Sequence, residues 1–138
     1  MIDKNDMNQD DAIQYCLGKP EAVETFPAND DASVYKVRHK MFALVSDNQG
    51  MGRINLKCDP DNAIELREQY ESIIPGYHMN KRHWNTILLN GTVPADKIRQ
   101  LIDHSYGLVV NGLMDNERID IEAKHDNDLL YRQLTLTD

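Results

Sequence analysis

The fold of this chain is decided by one stretch of twelve residues, Val34-Tyr35-Lys36-Val37-Arg38-His39-Lys40-Met41-Phe42-Ala43-Leu44-Val45. Polar and apolar residues alternate through its first part, which predicts a β-strand with Lys36 and Arg38 on the face opposite to that of their apolar neighbours. A tight hairpin turn is expected at His39-Lys40. The five residues that follow are apolar on both faces, which is typical of a strand in the interior of a sheet.

Two more strands are predicted farther along the chain. Residues 53–57 alternate again, with Ile54 and Leu56 on the inward face, and residues 84–89 form a fourth strand. Residues 72–76 lie between these strands and are expected to be a loop that ends a helix.

Three helices are predicted around the strands. The first covers residues 12–17 and ends at Gly18. The second begins at Asp59-Pro60, where an N-cap acceptor precedes a proline at the first helical position. The third and longest runs from residue 94 to a C-cap at Gly112.

This order of elements predicts an α+β fold, in which an antiparallel sheet has helices packed on one of its faces. The second face of such a sheet commonly meets water. The alternation places on that second face a set of basic and polar residues from the first and third strands, namely Lys36, Arg38, Arg53, Asn55 and Lys57.

The acidic residues are concentrated at the two ends of the chain. The formal net charge of −8 consists of −6 for residues 1–31, +2 for residues 32–112 and −4 for residues 113–138. A net negative charge argues against non-specific affinity for nucleic acid or anionic membranes. We divide the chain into an α+β domain, residues 1–112, and an acidic, partly ordered C-terminal extension, residues 113–138.

Four motifs of the sequence resemble those of one known family. They are Val37-Arg38-His39-Lys40-Met41-Phe42-Ala43-Leu44, Asn55-Leu56-Lys57-Cys58-Asp59-Pro60, Ile74-Pro75-Gly76-Tyr77-His78-Met79-Asn80-Lys81-Arg82-His83-Trp84-Asn85-Thr86 and Leu101-Ile102-Asp103-His104-Ser105-Tyr106. On these motifs the chain resembles the MmcQ/YjbR family over about residues 10–112. Several motifs in one order are far more specific than a single short motif.

The resemblance implies a CyaY/frataxin-like and secretion-chaperone-like fold. It also implies DNA binding, a function assigned to the family by likeness to a double-wing DNA-binding domain. Lysine and arginine neutralise phosphates, so DNA is the expected partner. The residues expected to bind it are Lys36, Arg38, Lys40, Arg53, Asn55, Lys57, His78, Asn80, Lys81 and Arg82.

Two alternatives remain open for this basic face. The first is a non-enzymatic domain that binds an acidic protein or a small anionic ligand. The second is a plain solvated face, whose charges prevent the aggregation of sheet edges.

Residues 77–84 form the chemically densest segment of the chain. They combine aromatic rings, imidazoles and cations, a composition that can bind phosphate and stack a base. Trp84 is nevertheless expected to anchor this loop in the core, because a lone tryptophan is usually a packing residue.

Metal binding and catalysis have little support in the sequence. His78 and His83 could converge on a metal, and a frataxin-like iron site would use the acidic start of the chain, at Asp3, Asp6, Asp10 and Asp11. Neither site is predicted, and no cofactor is expected. Without a GxSxG, Walker or dinucleotide-binding motif, the chain is expected to bind rather than to catalyse.

The remaining features favour a cytoplasmic protein without membrane contact. No apolar run approaches the roughly 20 residues of a membrane-spanning helix, and the N-terminus lacks the pattern of a signal peptide. Cys16 and Cys58 are expected to be reduced and buried.

Overall fold

The computed structural model describes residues 6–27, 32–76 and 79–136. Its elements are α1 (Gln9–Leu17), β1 (Val23–Thr25), β2 (Ala32–Val37), β3 (Lys40–Asn48), β4 (Met51–Lys57), α2 (Pro60–Gln69), β5 (Ile73–Pro75), β6 (Trp84–Leu88), α3 (Ala95–Asn111), α4 (Asp115–Lys124) and α5 (Asn127–Leu130). The strands form one antiparallel sheet in the order β1-β2-β3-β4-β6-β5. Helices α1 and α3 pack on β3 and β4. The face they cover is called the inner face, and the predicted α+β fold with helices on one face is confirmed.

The sheet contains two edge strands that the sequence pattern did not predict. Both β1 and β5 have three residues, too few for an alternating pattern to be recognised. The prediction that residues 72–76 form a loop is wrong, because Ile73–Pro75 pairs with β6. Pro75 is tolerated there because an edge strand can spare one N–H donor.

The hairpin between β2 and β3 turns one residue earlier than predicted. Its two turn residues are Arg38 and His39, with φ angles of 49° and 69°. Positive φ at both positions is the geometry of the two-residue turn that best matches strand twist. The predicted turn at His39-Lys40 is therefore wrong, and Lys40 is the first residue of β3.

The middle of helix α3 is surrounded by protein, since residues 101–107 are all buried. Four consecutive residues in this stretch, Asp103-His104-Ser105-Tyr106, carry polar groups and lie about 100° apart around the helix axis. A buried polar group without a hydrogen-bond partner costs about 1–3 kcal/mol. The four side chains find their partners on α1 and the residues after it, on the sheet, at the start of α2 and on the C-terminal residues.

Ser105 connects α3 to the sheet. Its hydroxyl donates to the backbone carbonyl of Phe42 at 2.6 Å and accepts from the backbone N–H of Lys57 at 2.9 Å. These two residues lie just beyond the last paired residues of β3 and β4, Ala43 and Leu56. The Ser105 hydroxyl thus bridges β3 and β4 just beyond the point where these two strands stop pairing with each other.

Asp103 and Tyr106 connect α3 to α1 and to the segment that follows it. The Asp103 carboxylate accepts hydrogen bonds from the Tyr15 hydroxyl and from Lys19 Nζ, each at 2.8 Å. The Tyr106 hydroxyl donates to the carbonyl of Pro20 at 2.6 Å. These hydrogen bonds therefore fix the position of α1 and of the residues that connect it to the sheet.

His104 connects α3 to the start of α2 and to the C-terminal residues. Its Nε2 accepts from the backbone N–H of Asp59 at 3.1 Å, which leaves the proton on Nδ1 to be donated to the carbonyl of Gln133 at 2.8 Å. Burial lowers the pKa of His104 below its ordinary value, because a charged ring would be poorly solvated there.

The C-terminal helices α4 and α5 continue the helical layer. Ile121 of α4 and Leu130 of α5 are fully buried and belong to the same hydrophobic core as the sheet. Tyr131 donates a hydrogen bond from its hydroxyl to Glu122 at 2.5 Å. None of the described helices combines the length and the apolar character needed to cross a membrane.

The role of Ser105 can be tested by replacing it with alanine. We expect Ser105→Ala to lower the free energy of unfolding by about 1–3 kcal/mol, because a buried carbonyl and a buried N–H lose their shared partner. Urea denaturation of the two proteins measures this difference. Ser46→Ala is the control, since Ser46 lies on the partly exposed surface of β3, and a loss as large as that of Ser105→Ala would contradict this role.

The lowered pKa of His104 predicts how stability depends on pH. As the pH falls below about 6.5, the unfolded chain binds a proton at this ring before the folded chain does, so folding becomes less favourable. The stability advantage of the wild type over His104→Gln should therefore be larger at pH 7.5 than at pH 5. Urea denaturation at both pH values measures it, with His39→Asn in the exposed turn as the control. An advantage that does not change with pH would contradict a buried neutral ring.

Candidate functional site

The side of the sheet opposite to the helices is called the outer face. In β4, Ile54 and Leu56 are buried against the helices, so Arg53, Asn55 and Lys57 lie on the outer face. Strand pairing extends this assignment across the sheet. It places on the outer face Val23, Thr25, Ala32, Val34, Lys36, Met41, Leu44, Ser46, Asn48, Met51, Arg53, Asn55, Lys57, Ile74, Trp84, Thr86 and Leu88.

None of these residues is acidic, although the chain as a whole carries a net charge of −8. The acidic residues of the helices lie in the layer that packs on the inner face. They include Asp10 and Asp11 of α1, Asp61, Glu65 and Glu68 of α2, and Asp115, Glu117, Asp120 and Glu122 of α4. Within the described part of the chain, the outward strand residues therefore carry positive charge without acidic neighbours on the same face, whereas the helical layer carries charges of both signs.

One row of outward residues combines cations with apolar groups. This cationic row contains Lys36 of β2, Met41 of β3, Lys57 of β4 and Trp84 of β6. All four side chains are partly exposed. Lys36 lies opposite Met41 and Lys57 opposite Trp84, each pair on strands about 4.8 Å apart. The pairing of β3 with β4 ends at Ala43 and Leu56, so the two pairs lie on neighbouring strands just beyond that point. Neither lysine forms an ion pair with a carboxylate in residues 6–27, 32–76 or 79–136.

Next to the cationic row, the polar side chains at the centre of the outer face are largely buried. Thr86 is fully buried and Asn55 is 5% exposed, although both lie on the outer face. The Thr86 hydroxyl donates to Asn55 Oδ1 at 2.7 Å. Asn55 is thus held within the sheet surface, between side chains that include Leu44 and Ile74.

Arg38 does not belong to the outer face, and its predicted place on the second face of the strand is wrong. It sits in the hairpin turn, where its guanidinium binds Glu21 at 2.6 Å and Asp120 at 2.9 Å. The hydrogen bond to Glu21 is the main cause of the raised pKa of Arg38. Its charge is therefore already balanced by two carboxylates. Lys40, which follows the turn, is exposed at the same end of the sheet.

Residues 79–83 carry further cations to the start of β6. Asn80 Oδ1 accepts from the backbone N–H of Arg82 at 3.0 Å, which stabilises a turn and leaves the side chains of Lys81 and Arg82 exposed. The turn is held from the helical side, because the guanidinium of Arg67 donates to the Lys81 carbonyl and, at 2.7 Å, to Asn85 Oδ1. The predicted site residue His78, with Tyr77, lies outside the described residues.

Trp84 is not a core residue, and its expected role as a core anchor is wrong. It lies on the outer face opposite Lys57, whereas the next residue, Asn85, faces the helices and is buried. Gly76 makes room for this strand, since a Cβ atom there would lie 2.8 Å from that of Trp84. Sequence reasoning also missed Met41 and Leu44 as outward residues, although the two-sided apolar pattern of β3 contained that signal.

The chemistry available elsewhere is limited in the described residues. Both Cys16 and Cys58 are buried and free, and burial raises the pKa of each thiol to about 12, so neither is an ionised nucleophile at neutral pH. No three His, Cys, Asp or Glu side chains of residues 6–27, 32–76 and 79–136 converge as metal ligands. His78 and Asp3, which were considered as ligands, lie outside these ranges.

Solved structures with a similar fold are known. The crystal structure of the Deinococcus radiodurans protein DR2400, a DUF419 domain, matches with a TM-score of 0.79 and 38% identity over 88% of this chain and 92% of that one. A Pseudomonas syringae protein matches with a TM-score of 0.66 and 33% identity, over 74% of this chain and 98% of that one.

Sequence comparison leads to the same group of proteins. The uncharacterised Escherichia coli K12 protein YjbR is 35% identical over 112 residues, which cover 81% of this chain and 95% of YjbR. The uncharacterised protein YbdF of Escherichia coli O157:H7 is 36% identical, with 81% and 91% covered. The YjbR family model matches residues 17–108. The chain therefore belongs to the YjbR family.

Proposed function

We propose that this protein binds nucleic acid on the outer face of its sheet, and that it favours single strands. The observation that carries the proposal is the cationic row, in which Lys36 is paired with the outward Met41 and Lys57 with the outward Trp84. We infer a binding function rather than catalysis, since the described residues present no activated nucleophile or metal cluster.

The charge distribution supports this proposal. Lysine and arginine side chains bind phosphates and release the counterions condensed around them. Lys36, Lys57, Lys81 and Arg82 lie at the end of the sheet where β2 and β4 end and β6 begins. Lys40 is exposed at the same end, but it is paired with the inward Val37 and does not belong to the outer face. A polyanion can approach this end, because the acidic helices lie on the other face of the sheet.

The aromatic group supports the preference for single strands. Trp84 is partly exposed beside Lys57, and stacking of one base on such a ring contributes about 1–3 kcal/mol. Bases of a duplex are stacked on one another and cannot reach the ring.

Trp84 is the single tryptophan of the chain, so its fluorescence reports directly on the proposed site. We expect oligothymidine to quench it, and the logarithm of the binding constant to fall linearly with the logarithm of the salt concentration. Lys57→Gln should make that slope shallower by about 0.7, the value for one phosphate contact to a single strand.

Arg99→Gln is the matched control, because it removes one exposed positive charge from α3 on the helical side. Its slope should equal that of the wild type. Absence of quenching at low salt, or equal losses in the Lys57 and Arg99 variants, would contradict the proposed face. Polyglutamate serves as a second anion, and binding as tight as that of oligothymidine would show that bases are not recognised.

Removing the ring tests stacking separately from charge. We expect Trp84→Leu to weaken binding of a labelled oligothymidine about tenfold, because a stacked base loses its aromatic partner. The salt slope should remain unchanged, since no phosphate contact is removed. Fluorescence anisotropy measures both quantities, and thermal denaturation checks that the variant is folded. Unchanged affinity in a folded variant would exclude stacking on Trp84.

A further inference from the structure

A cavity of about 330 Å³ opens on the helical side of the molecule, between the end of α1 and the C-terminal residues. Its lining includes Tyr15, Lys19, Pro20, His125, Leu129 and Arg132. The volume is within the range of small-molecule sites, which begins at about 300 Å³. Its C-terminal wall lies outside residues 17–108, the part of the chain that matches the YjbR family model.

Lys19 places a buried positive charge at this cavity. Its side chain is 9% exposed, and its Nζ binds Asp103 at 2.8 Å. The ammonium group also lies over the rings of Tyr106 and Tyr15, with Nζ 5.1 Å and 5.9 Å from their centres. An ammonium group has three N–H donors. In the described part of the chain, Asp103 is the one side chain that accepts from it.

Arg132 is the second cation that lines the cavity. Arg132 is exposed and pairs with no carboxylate of residues 6–27, 32–76 and 79–136. The nearby carboxylate Asp103 is shared by Tyr15 and Lys19. Glu21, the other acid near this end of α1, is occupied by Arg38 and His125. The cavity therefore offers the charge of Arg132, which no described carboxylate balances, and N–H donors of Lys19 beyond the one that Asp103 accepts.

We propose that this cavity binds a small organic molecule through a carboxylate or phosphate group. The oxygens of that group accept hydrogen bonds from Lys19 and Arg132, which are charge-assisted and hence stronger than neutral ones. The rest of the molecule packs on the ring of Tyr15 and on Leu129. This site lies apart from the outer face and does not depend on the function proposed for that face.

The test is an NMR titration of the full chain with inorganic phosphate and, separately, with succinate, at constant ionic strength. We expect saturable shifts of the backbone amides confined to residues 14–20 and 125–132. The anion that saturates at lower concentration identifies the preferred group. Arg132→Gln should raise the dissociation constant for that anion about tenfold, because one charge-assisted hydrogen bond is lost.

Two control variants make the result specific. Arg118→Gln removes an exposed charge from α4, and Arg82→Gln removes one from the proposed nucleic-acid site; both should bind the anion as the wild type does. The proposal is overturned if neither anion gives saturable shifts, or if Arg132→Gln binds with unchanged affinity. Because Arg82 enters only the nucleic-acid proposal, the two proposals fail independently.

Discussion

The arrangement of the helices depends on four consecutive polar side chains that are buried around one helix and need hydrogen-bond partners. Residues 103–106 of α3 point in four directions, and each must find a partner inside the protein. The partners come from α1 and its exit, from the N-cap of α2, from the ends of β3 and β4, and from Gln133. Once these hydrogen bonds form, the described helices are gathered on a single face of the sheet, and none of them covers the other face.

Within the described residues, the outer face carries positive charge without acidic residues of its own. The described acidic helices pack on the inner face, and the outward residues of the strands include no aspartate or glutamate. A protein with a net charge of −8 can thus present a positive surface. Such a surface attracts polyanions by its local potential, which the net charge of the chain does not describe. The apolar groups Met41 and Trp84 within that surface explain why we favour bases, and not phosphates alone, as the bound groups.

Alternation within residues 34–37 and 53–57 was sufficient to predict the outward lysines of the cationic row, and the order of helices and strands predicted the α+β fold. It failed for Arg38, because histidine and arginine are not favoured in a turn with two positive φ angles, and the turn position therefore had no local signal. Trp84 was misplaced because tryptophan occurs in cores and on surfaces alike. The pairing of Lys19 with Asp103 joins residues 84 positions apart, so only the folded chain reveals it.

The central claim is that the outer face is where nucleic acid binds, and ultraviolet crosslinking tests it most directly. A single-stranded oligonucleotide is crosslinked to the protein at low salt, and the attached peptides are identified by mass spectrometry. Our account predicts crosslinks within residues 36–57 and 79–88, with Trp84 among the modified residues. Crosslinks confined to α1, α2 or α4, or none at all under these conditions, would contradict it.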